Sequence, residues 1–578
     1  MGVLCCDKTG TLTENHLVVD ELYMPEAENV RYNPAWREGR EIPFRSVLEL
    51  LRVARLNNST VMDGMRNAIL GDPIDLALYN AAPAILEQGF AKRQDIPFNP
   101  TTMRAASLCE DPKGRGVWFI KGAPEAVLGI CTSYLKPDGS LAPIGLKADY
   151  LLGMFNRDIA FQNNYRVIGL AAKYLHPGTT QDPHSEATFI GWACLVDPPR
   201  PGAAETVAEL KALDVTPLMV TGDQKPTAEV AARALGILPS QSEKAHDMDG
   251  VWRYADLEAH MADARKGGRL PSHVRVFART KPEEKLGIVE AMQRSGHVVA
   301  MVGDGINDTP ALQKSDVAIA MGAKESEAAL QNADIVLMGD RLTAIPQIVR
   351  ESRRLRERVR TVALYLLTGH AATLGYLLGT ALLAGQPAMG MNQVLWLGLV
   401  VTALPAFVFC LEPLEDDAEA SAARRFAEPV LRGDHMVAVG LWTFLILLAS
   451  LGCFALLGPI LGRPMPEAAT VGFTTLALCQ TFLMLNIQIF QLAGQGGAQG
   501  EGDAGRMAPW RRVARTPMTW MVLGTLALLQ GLALYLPGLD AALSTVAVHP
   551  MWLGLSLAAS AGLMGTGCLC LDPSRQEG

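Results

Sequence analysis

Charge is missing from the most apolar parts of this sequence, because no Asp or Glu lies inside any of its long hydrophobic runs. The pattern G-x-x-x-x-G-K-[ST] is also absent, which excludes a P-loop nucleotide site. The ten cysteines form no C-x-x-C pair, so reduced and mostly buried thiols are expected. The net charge of −8 and the lack of a basic arm argue against a nucleic-acid partner.

Apolar runs dominate the chain from about residue 361 onward. With 578 residues and 49% hydrophobic content, the chain is too long for one domain and too apolar for a purely soluble protein. A membrane-spanning helix needs about twenty apolar residues, which predicts an all-α six-helix transmembrane domain over residues 346–578. The predicted spans are 361–383, 394–411, 436–457, 471–490, 518–536 and 551–570.

Arginines lie mainly on one side of these spans. The segment 350–360 holds six arginines, and the links 412–435 and 491–517 hold three and four, whereas the opposite links hold only Arg463. The positive-inside rule therefore places the first 345 residues in the cytoplasm. The protein is expected to be a multi-pass protein of the plasma membrane or bacterial inner membrane.

Acidic loops follow apolar segments at three widely separated places. They are DKTGTLT at 7–13, TGD at 221–223 and GDGIND at 303–308. Taken alone, each loop is more often a simple chain reversal. Open α/β sheets bind ligands at the carboxyl ends of their strands, so the three loops, with the hydroxyl of Thr221 and the amide of Gly222, are expected to share one crevice.

Asp7 is the candidate nucleophile of a phosphoryl-transfer site in that crevice. A carboxylate attacks the γ-phosphorus of ATP when a metal ion and a cation neutralise the charge of the transferring group. Asp304 and Asp308 are spaced to place Mg²⁺ beside Asp7 through oxygen ligands and retained water. Lys285 is the candidate cation.

In these motifs the chain resembles the P-type ATPases, whose DKTGTLT aspartate is phosphorylated. The resemblance covers nearly all of the chain and includes the family's lysine at Lys285 and its GDGxNDxPAL motif at 303–312. It implies ATP and Mg²⁺ as cofactors, with a transported cation and the lipid bilayer as partners. The site residues that it implies are Lys8, Thr9, Thr221, Gly222, Asp223, Asn307 and Asp308 for catalysis, and Asp7, Thr9 and Asp304 for Mg²⁺.

The implied fold is an α/β haloacid-dehalogenase-like phosphorylation domain with an inserted α+β nucleotide-binding domain, followed by the all-α six-helix transmembrane domain. The phosphorylation domain is expected at residues 1–20 and 186–345. The nucleotide-binding domain is expected at 21–185.

The insertion resembles the family's nucleotide-binding domain in several short segments. On that resemblance Phe98 stacks on adenine, Lys121 lines the pocket, Asp75 is the adenine-facing carboxylate and Arg166 approaches the β-phosphate. A core aromatic or a solvated charge is the alternative for each residue taken singly. The other residues assigned to nucleotide binding are Arg104, Gly122 and Arg279, and the family often has a lysine at the position of Met103.

A soluble phosphatase of the haloacid dehalogenase type is a competing interpretation. Such phosphatases share the sheet and the aspartyl-phosphate, but they have Asp-x-Asp, in which the second Asp is the acid/base that hydrolyses the intermediate. Thr9 stands at that position. The phosphoenzyme is therefore expected to persist long enough to drive a conformational cycle.

Polar side chains inside the apolar runs are the candidates for an ion path, because they are costly to place in a bilayer. Calcium and sodium pumps resemble this chain here but bind cations through an asparagine and carboxylates or similar ligands, where this chain has Gly398, Thr402, Thr373 and Gln480. A hard divalent ion needs charged oxygens, so calcium transport is doubtful. The candidates are Thr368, His370, Thr373, Thr402 and Gln480.

Two further features bear on this path. Pro405 frees backbone carbonyls one turn earlier, which are potential ligands where they line a cavity. His370 is open to two interpretations, a proton path or a hydrogen bond between helices.

Pumps of this kind carry an actuator domain and four membrane helices before the phosphorylated aspartate. The sequence is therefore expected to be a truncated gene product, the larger part of a split pump whose actuator is on a separate chain, or a fragment. Two hypotheses remain beside the phosphatase: part of a cation pump, or a degenerate membrane protein that binds nucleotide without transporting.

Overall fold

The computed structural model describes residues 2–27, 29–62, 68–145, 147–154, 165–175, 182–239, 250–262, 271, 273–303, 308–321, 330–339, 341–411, 430–431, 433–495 and 516–570. The chain divides into two compact units, Met1–Ile345 and Pro346–Gly578. Asp304 and Asn307, which the sequence assigned to the site, lie outside the described residues.

The first sheet of the first unit has seven strands, all parallel. Its central strands are continuous apolar runs, as is usual for a parallel sheet that is covered on both faces. In sheet order the strands are Val251–Trp252, Val276–Phe277, Thr216–Val220, Val3–Asp7, Val299–Gly303, Val317–Met321 and Ile335–Leu337. The helices of this part are Ala203–Ala212, Lys225–Ala234, Tyr254–Ala262, Pro282–Arg294 and Thr309–Lys314.

The strand Val3–Asp7 lies at the centre of this sheet. It pairs with Thr216–Val220 on one side and with Val299–Gly303 on the other. The chain adds strands on the first side before it returns to the second, so a crevice forms at the carboxyl ends of these strands. The three strands that precede the three acidic loops are therefore neighbours.

The second sheet is largely antiparallel and contains nine strands. Val18–Tyr23 pairs with Ala187–Val196, and Val30–Arg31 pairs with Val18–Tyr23. The other seven strands form a continuous path, and a separate pair, Val61–Met62 and Ala68–Leu70, lies outside the sheet. In order the path is Leu141–Pro143, Cys131–Leu135, Ala187–Val196, Arg166–Tyr174, Gly116–Gly122, Arg104–Glu110 and Ala91–Asn99.

Each face of the second sheet carries its own hydrophobic core. Alternate residues of Gly116–Gly122 point to opposite faces, with Phe119 in one core and Trp118 and Ile120 in the other. Residues of Arg45–Leu56 and Pro73–Ala81 belong to the first core, and residues of Pro124–Leu128 and Lys147–Met154 to the second. Short 3₁₀ helices form at Pro34–Glu38 and Ala84–Glu87.

The strand Ala187–Val196 pairs within the second sheet, although the sequence assigned residues 186–345 to the phosphorylation domain. The strand Val18–Tyr23 likewise extends across the boundary drawn at residue 20. On these contacts the inserted sheet begins at Val18 and ends at Val196.

The second unit is helical. Ala344–Ala384 has 41 residues. The helix Met391–Trp396 continues into Ala403–Leu411 through a π-helical segment, Leu397–Thr402, which we call the wide turn. The remaining helices are Gly433–Ala455 with its continuation Leu456–Ile460, Met465–Gln495, Pro517–Tyr535, Leu539–Leu543 and Pro550–Cys570.

Five of these helices are long and apolar enough to cross a membrane, judged by length and composition over the described residues. They contain the first five predicted spans, apart from residue 536 at the end of the fifth. The sixth, 551–570, coincides with Pro550–Cys570, which has 21 residues. The first helix begins at Ala344, well before its predicted apolar span at 361–383, because its arginine-rich start is helical without being apolar.

Candidate phosphoryl-transfer site

Asp7 is the last residue of the central strand and lies beside Lys285. The Lys285 ammonium is 3.1 Å from the Asp7 Oδ1 atom and 2.6 Å from the Asp308 Oδ1 atom. Lys285 reaches this point from the first turn of Pro282–Arg294, a helix that begins with proline and is capped by Glu284 at the Lys281 amide. One ammonium therefore links the predicted nucleophile to a carboxylate of the third loop.

Burial governs the charges at this point. Burial raises the pKa of Asp7 to about 6, with Asp308 acting in the same direction and Lys285 opposing both. Burial alone disfavours the ammonium of Lys285, but Asp7 and Asp308 outweigh it and the pKa of Lys285 is raised. A half-buried and a buried carboxylate, Asp7 and Asp308, thus face one buried ammonium.

The first and second loops are joined by a charge pair between Lys8 and Asp223. The Thr221 hydroxyl accepts a hydrogen bond from the Asp223 amide at 3.1 Å, and the Asp223 carbonyl accepts one from the Arg279 amide at 2.8 Å. Arg279 has a positive φ of 54° and an exposed side chain. These contacts bring the assigned residues Lys8, Thr221, Asp223 and Arg279 together, with Gly222 exposed between Thr221 and Asp223.

Residues that sequence reasoning missed hold the first loop in shape. The Thr13 hydroxyl contacts the Asp197 carboxylate at 2.6 Å and the Lys8 carbonyl at 3.1 Å. The Arg200 guanidinium donates to the Gly10 carbonyl. A signal was present in Asp197-Pro198-Pro199-Arg200, because a Pro-Pro pair fixes an extended run that can lie against another segment.

Within the third loop, Gly303 packs closely against Asp308. A Cβ atom on Gly303 would lie 2.5 Å from the Asp308 Oδ2 atom, which leaves no room for any other residue at 303. Asp308 is 1% exposed and is held by Lys285.

The donor set near Asp7 suits Mg²⁺ in chemistry. Carboxylate oxygens are the ligands that Mg²⁺ prefers, and Asp7 and Asp308 together carry more negative charge than Lys285 neutralises. Within the described residues no group of three His, Cys, Asp or Glu side chains could hold a metal ion. The assigned ligand Asp304 lies outside them, and Thr9 is exposed at the start of the loop.

In the second sheet, Lys121 and Asp75 form a buried ion pair. Asp75 also accepts from the Ser59 amide at 2.9 Å and the Ser59 hydroxyl at 2.7 Å. Burial disfavours the charge on Asp75, but Lys121 and Ser59 outweigh it and lower the pKa of Asp75. Burial lowers the pKa of Lys121, with Asp75 opposing.

The other assigned nucleotide residues lie along neighbouring strands. Asn99, Arg104 and Gly122 are aligned across three strands. Phe98 is 59% exposed at the end of its strand, free to stack on a flat ligand. A Cβ atom on Gly122 would lie 2.3 Å from the Met103 carbonyl oxygen, so glycine is required there.

Arg104 and Arg166 differ in their placement. The Arg104 guanidinium donates to the Ala126 carbonyl, so its charge is directed at a helix. Arg166 is exposed at the start of its strand.

In the second unit, a charge-free hydrogen-bond network links three helical segments. The Gln480 amide nitrogen donates to the Gly369 carbonyl and the Thr373 hydroxyl, both at 3.1 Å, and its oxygen lies 3.5 Å from the Thr402 hydroxyl. Thr402 also donates to the Leu397 carbonyl at 2.8 Å, across the wide turn. Three of the five assigned path residues are thus brought together.

Tyr365, which sequence reasoning missed, completes this network. Its hydroxyl lies 2.9 Å from the Val401 carbonyl oxygen and 3.3 Å from the Gln480 carbonyl oxygen. Pro405 has no N–H to bond the carbonyl four residues earlier, and that carbonyl belongs to Val401. Tyr365 therefore supplies the donor that Pro405 lacks.

The remaining path residues do not join the network. Thr368 is buried and its hydroxyl donates to the Leu364 carbonyl at 2.8 Å. His370 is exposed, and its Nδ1 atom lies 2.7 Å from the Leu366 carbonyl oxygen of its own helix.

Comparison with known proteins gives matches to three successive parts of the chain. The model of the P-type ATPase cytoplasmic domain N matches residues 46–202, the haloacid dehalogenase-like hydrolase model matches 169–316, and the model of the cation transporting ATPase C-terminus matches 386–569. Along the chain, the three models match parts of the second sheet, of the first sheet and of the helical unit, in that order.

Three relatives illustrate the similarity to whole proteins. A calcium-transporting ATPase of Bacillus subtilis is 28% identical over 83% of this chain and 55% of its own length. Calcium-transporting ATPase 1 of Saccharomyces cerevisiae is 29% identical over 75% of this chain and 47% of its own length. The potassium-transporting ATPase alpha chain 2 of Cavia porcellus is 29% identical over 78% of this chain and 48% of its own length.

The chain spans about half the length of the curated relatives that it matches. The helical unit and the membrane-pump relatives make it a multi-pass membrane protein whose catalytic domains are cytoplasmic. The succession of matched domains, together with the phosphoryl-transfer motifs, shows that the chain belongs to the P-type ATPase family.

Proposed function

We propose that this chain is the catalytic and carboxyl-terminal membrane part of an ATP-driven cation pump that works through an aspartyl-phosphate at Asp7. The observation that carries the proposal is the Lys285 ammonium, which lies against both Asp7 and Asp308 at the carboxyl end of the central strand. The relatives named as calcium- or potassium-transporting ATPases support cation transport.

The proposed reaction begins with attack of an Asp7 carboxylate oxygen on the γ-phosphorus of ATP. The bond between that phosphorus and the β–γ bridging oxygen breaks, and ADP leaves. Lys285 stabilises the negative charge of the transferring group, and Lys8 is oriented by Asp223. Mg²⁺, for which Asp7, Thr9 and Asp304 are the candidate ligands, supplies further positive charge when bound.

Persistence of the phosphoenzyme follows from Thr9. A hydroxyl at this position is a poor general base at neutral pH, so water is not activated as it is by the second Asp of a phosphatase. The acyl phosphate then lasts long enough for a conformational change in the helical unit. An actuator domain on a separate chain is a proposed partner for its later hydrolysis.

The transported ion is proposed to be one that does not need carboxylate ligands within the membrane. The network around Gln480 contains amide, hydroxyl and carbonyl groups only. A hard divalent ion needs several charged oxygens to replace its water, which makes calcium a poor fit.

The same network favours a second candidate function, a membrane protein that binds nucleotide without transporting. Gln480 donates both amide hydrogens to Gly369 and Thr373, so the polar groups are already satisfied without an ion. In that case ATP binds and no phosphate is transferred to Asp7.

Phosphorylation distinguishes the two functions. Membranes that contain the full chain are incubated with γ-labelled ATP and Mg²⁺, and Asp7→Asn is compared with the matched control Asp214→Asn. Asp214 is exposed and has a positive φ of 53°, a conformation that Asn accepts. An acid-stable, hydroxylamine-sensitive label in the native chain and the control, lost in Asp7→Asn, supports the pump. Absence of label from the native chain supports the second function.

A further inference from the structure

The segment Asn57–Ser59 follows the helix Arg45–Leu56 and lies against the ion pair of the nucleotide site. The Asn57 carbonyl oxygen accepts a hydrogen bond from the Lys121 ammonium at 2.7 Å. Ser59 donates twice to the Asp75 carboxylate, from its amide and its hydroxyl. Each member of the pair is therefore held by a different residue of the same short segment.

Asn57 is fixed on the second sheet by its own side chain. It is 2% exposed, and its amide nitrogen donates to the Phe119 carbonyl at 2.8 Å and to the Ala105 carbonyl at 3.2 Å. Its amide oxygen lies 3.3 Å from the Ser107 hydroxyl. The side chain thus joins two neighbouring strands and sets the position of the main-chain carbonyl that faces Lys121.

These contacts determine what the ammonium of Lys121 can offer a ligand. An ammonium has three N–H donors, and two are used by Asn57 and Asp75. Within the part of the chain that the structure describes, one donor of Lys121 remains, and its direction follows from the other two. An oriented donor recognises a hydrogen-bond acceptor on a ligand more tightly than a freely rotating one.

We propose that Asn57 and Ser59 are positioning residues of the nucleotide site, which aim the Lys121 ammonium and the Asp75 carboxylate at the base of ATP. The proposal rests on the proposed function, because it assumes that this pocket binds ATP. Among the described residues, neither Asn57 nor Ser59 has a hydrogen bond with the phosphoryl-transfer site, so they are expected to act on nucleotide affinity and not on the transfer step.

The test measures the dissociation constant for labelled ATP and the maximal labelling of Asp7, both with the full chain. Asn57→Ala removes the side-chain bonds that fix the carbonyl facing Lys121, and Ser59→Ala removes the hydroxyl that donates to Asp75. Each variant is expected to weaken ATP binding by about tenfold. Maximal labelling at saturating ATP stays at the native level. Ser59→Thr, which keeps the hydroxyl, restores native affinity.

Two controls separate positioning from a loss of folding. Ser46→Ala removes a buried hydroxyl of the preceding helix that has no hydrogen-bond partner among the described residues, and is expected to bind ATP as the native chain does. Ser59 itself is exposed, so Ser59→Ala is not expected to disturb folding. In a Lys121→Ala background, Asn57→Ala adds no further loss, because both act through one ammonium.

Native ATP affinity in both Asn57→Ala and Ser59→Ala overturns the inference and leaves the proposed function intact. A full additional loss from Asn57→Ala in the Lys121→Ala background also overturns it. A native chain that binds ATP but carries no label overturns phosphorylation alone, and the affinities still decide the positioning role. A native chain that binds no ATP overturns both.

Discussion

At the scale of single residues, the balance of charge around Asp7 is expected to affect both the stability of the fold and the proposed phosphoryl transfer. Asp7 and Asp308 are held close together by Lys285, whose side chain is 8% exposed. Without the ammonium, two like charges would be buried side by side. Lys285 is therefore expected to have a structural effect and, in the proposed function, a catalytic effect, and the two can be measured separately.

Lys285→Met keeps the length of the side chain and removes its charge. The free energy of unfolding is expected to fall by roughly 3–5 kcal/mol, the usual cost of leaving a buried charge unpaired, and labelling of Asp7 to be lost. Melting temperature and acid-stable label are measured on the full chain. Adding Asp308→Asn is expected to restore most of the stability but no label. If the double variant regains the label, Lys285 does not stabilise the transferring phosphoryl group.

The loop of Asp7 depends on single hydroxyl contacts as well. Thr13→Val removes the hydroxyl that contacts the Asp197 carboxylate and the Lys8 carbonyl, with almost no change in volume. The loop is then free to shift, and small misplacements of a nucleophile cost about ten- to a hundredfold in rate. Rapid-quench measurement of label formation is expected to show that loss with unchanged ATP affinity. Thr13→Ser keeps the hydroxyl and should label at the native rate, and an equal loss in both variants contradicts this role.

At the scale of elements, the local sequence pattern predicted individual strands, whereas contacts between distant segments decided which of the two sheets each strand joins. The apolar runs before residues 7, 221 and 303 are parallel strands that meet at one edge, as their motifs indicated. Ala187–Val196 reads as the same kind of apolar strand, and only its pairing with Val18–Tyr23 places it in the second sheet. Pairing between distant segments leaves no periodicity that a single sequence shows.

Among the candidate site residues, too, some could be predicted from the sequence and others depend on contacts between distant segments. Asp7, Lys285 and Asp308 could be predicted because phosphoryl transfer demands carboxylates and a cation, whereas Asn57, Ser59 and Tyr365 make ordinary hydrogen bonds. Such bonds require only a donor and an acceptor that happen to be close, and many residues meet that description. Their partners, Lys121, Asp75 and Val401, become known only when the chain is folded.

The wide turn Leu397–Thr402 depends on a donor from another helix. Tyr365→Phe leaves the Val401 carbonyl without the hydroxyl that replaces the missing N–H of Pro405, and a buried unsatisfied acceptor costs about 1–3 kcal/mol. The melting temperature of the full chain in detergent is expected to fall. Adding Pro405→Ala supplies an N–H to Val401 and is expected to recover part of the loss.

Tyr376→Phe is the matched control for this variant. Tyr376 is as buried as Tyr365 and lies on the same helix, but its hydroxyl has no hydrogen-bond partner among the described residues. Its removal costs no hydrogen bond, so the melting temperature should not fall. Equal melting temperatures for Tyr365→Phe and Tyr376→Phe would show that the hydroxyl of Tyr365 does not stabilise the turn.

At the scale of the whole molecule, the two units differ in how they handle charge. The first unit gathers two carboxylates and an ammonium within hydrogen-bond distance, whereas the network around Gln480 in the second unit contains amide, hydroxyl and carbonyl groups only. In the proposed function, free energy from ATP enters as an acyl phosphate at Asp7. The proposal then requires that this intermediate outlives the conformational change, so the lifetime of the phosphoenzyme is the property to measure.

Thr9→Asp tests that dependence, because it places a carboxylate where soluble phosphatases have their general base. Base catalysis of this kind contributes about 10²- to 10⁴-fold, so the label on Asp7 is expected to decay at least about a hundredfold faster, with matching release of inorganic phosphate. Thr9→Asn has nearly the same shape and cannot accept a proton at neutral pH, so its label should decay at the native rate. Faster decay in both variants would mean that an altered loop admits water. Native decay in Thr9→Asp would mean that the lifetime is set elsewhere, and that the hydroxyl at this position is not what keeps the phosphoenzyme from behaving as a phosphatase intermediate.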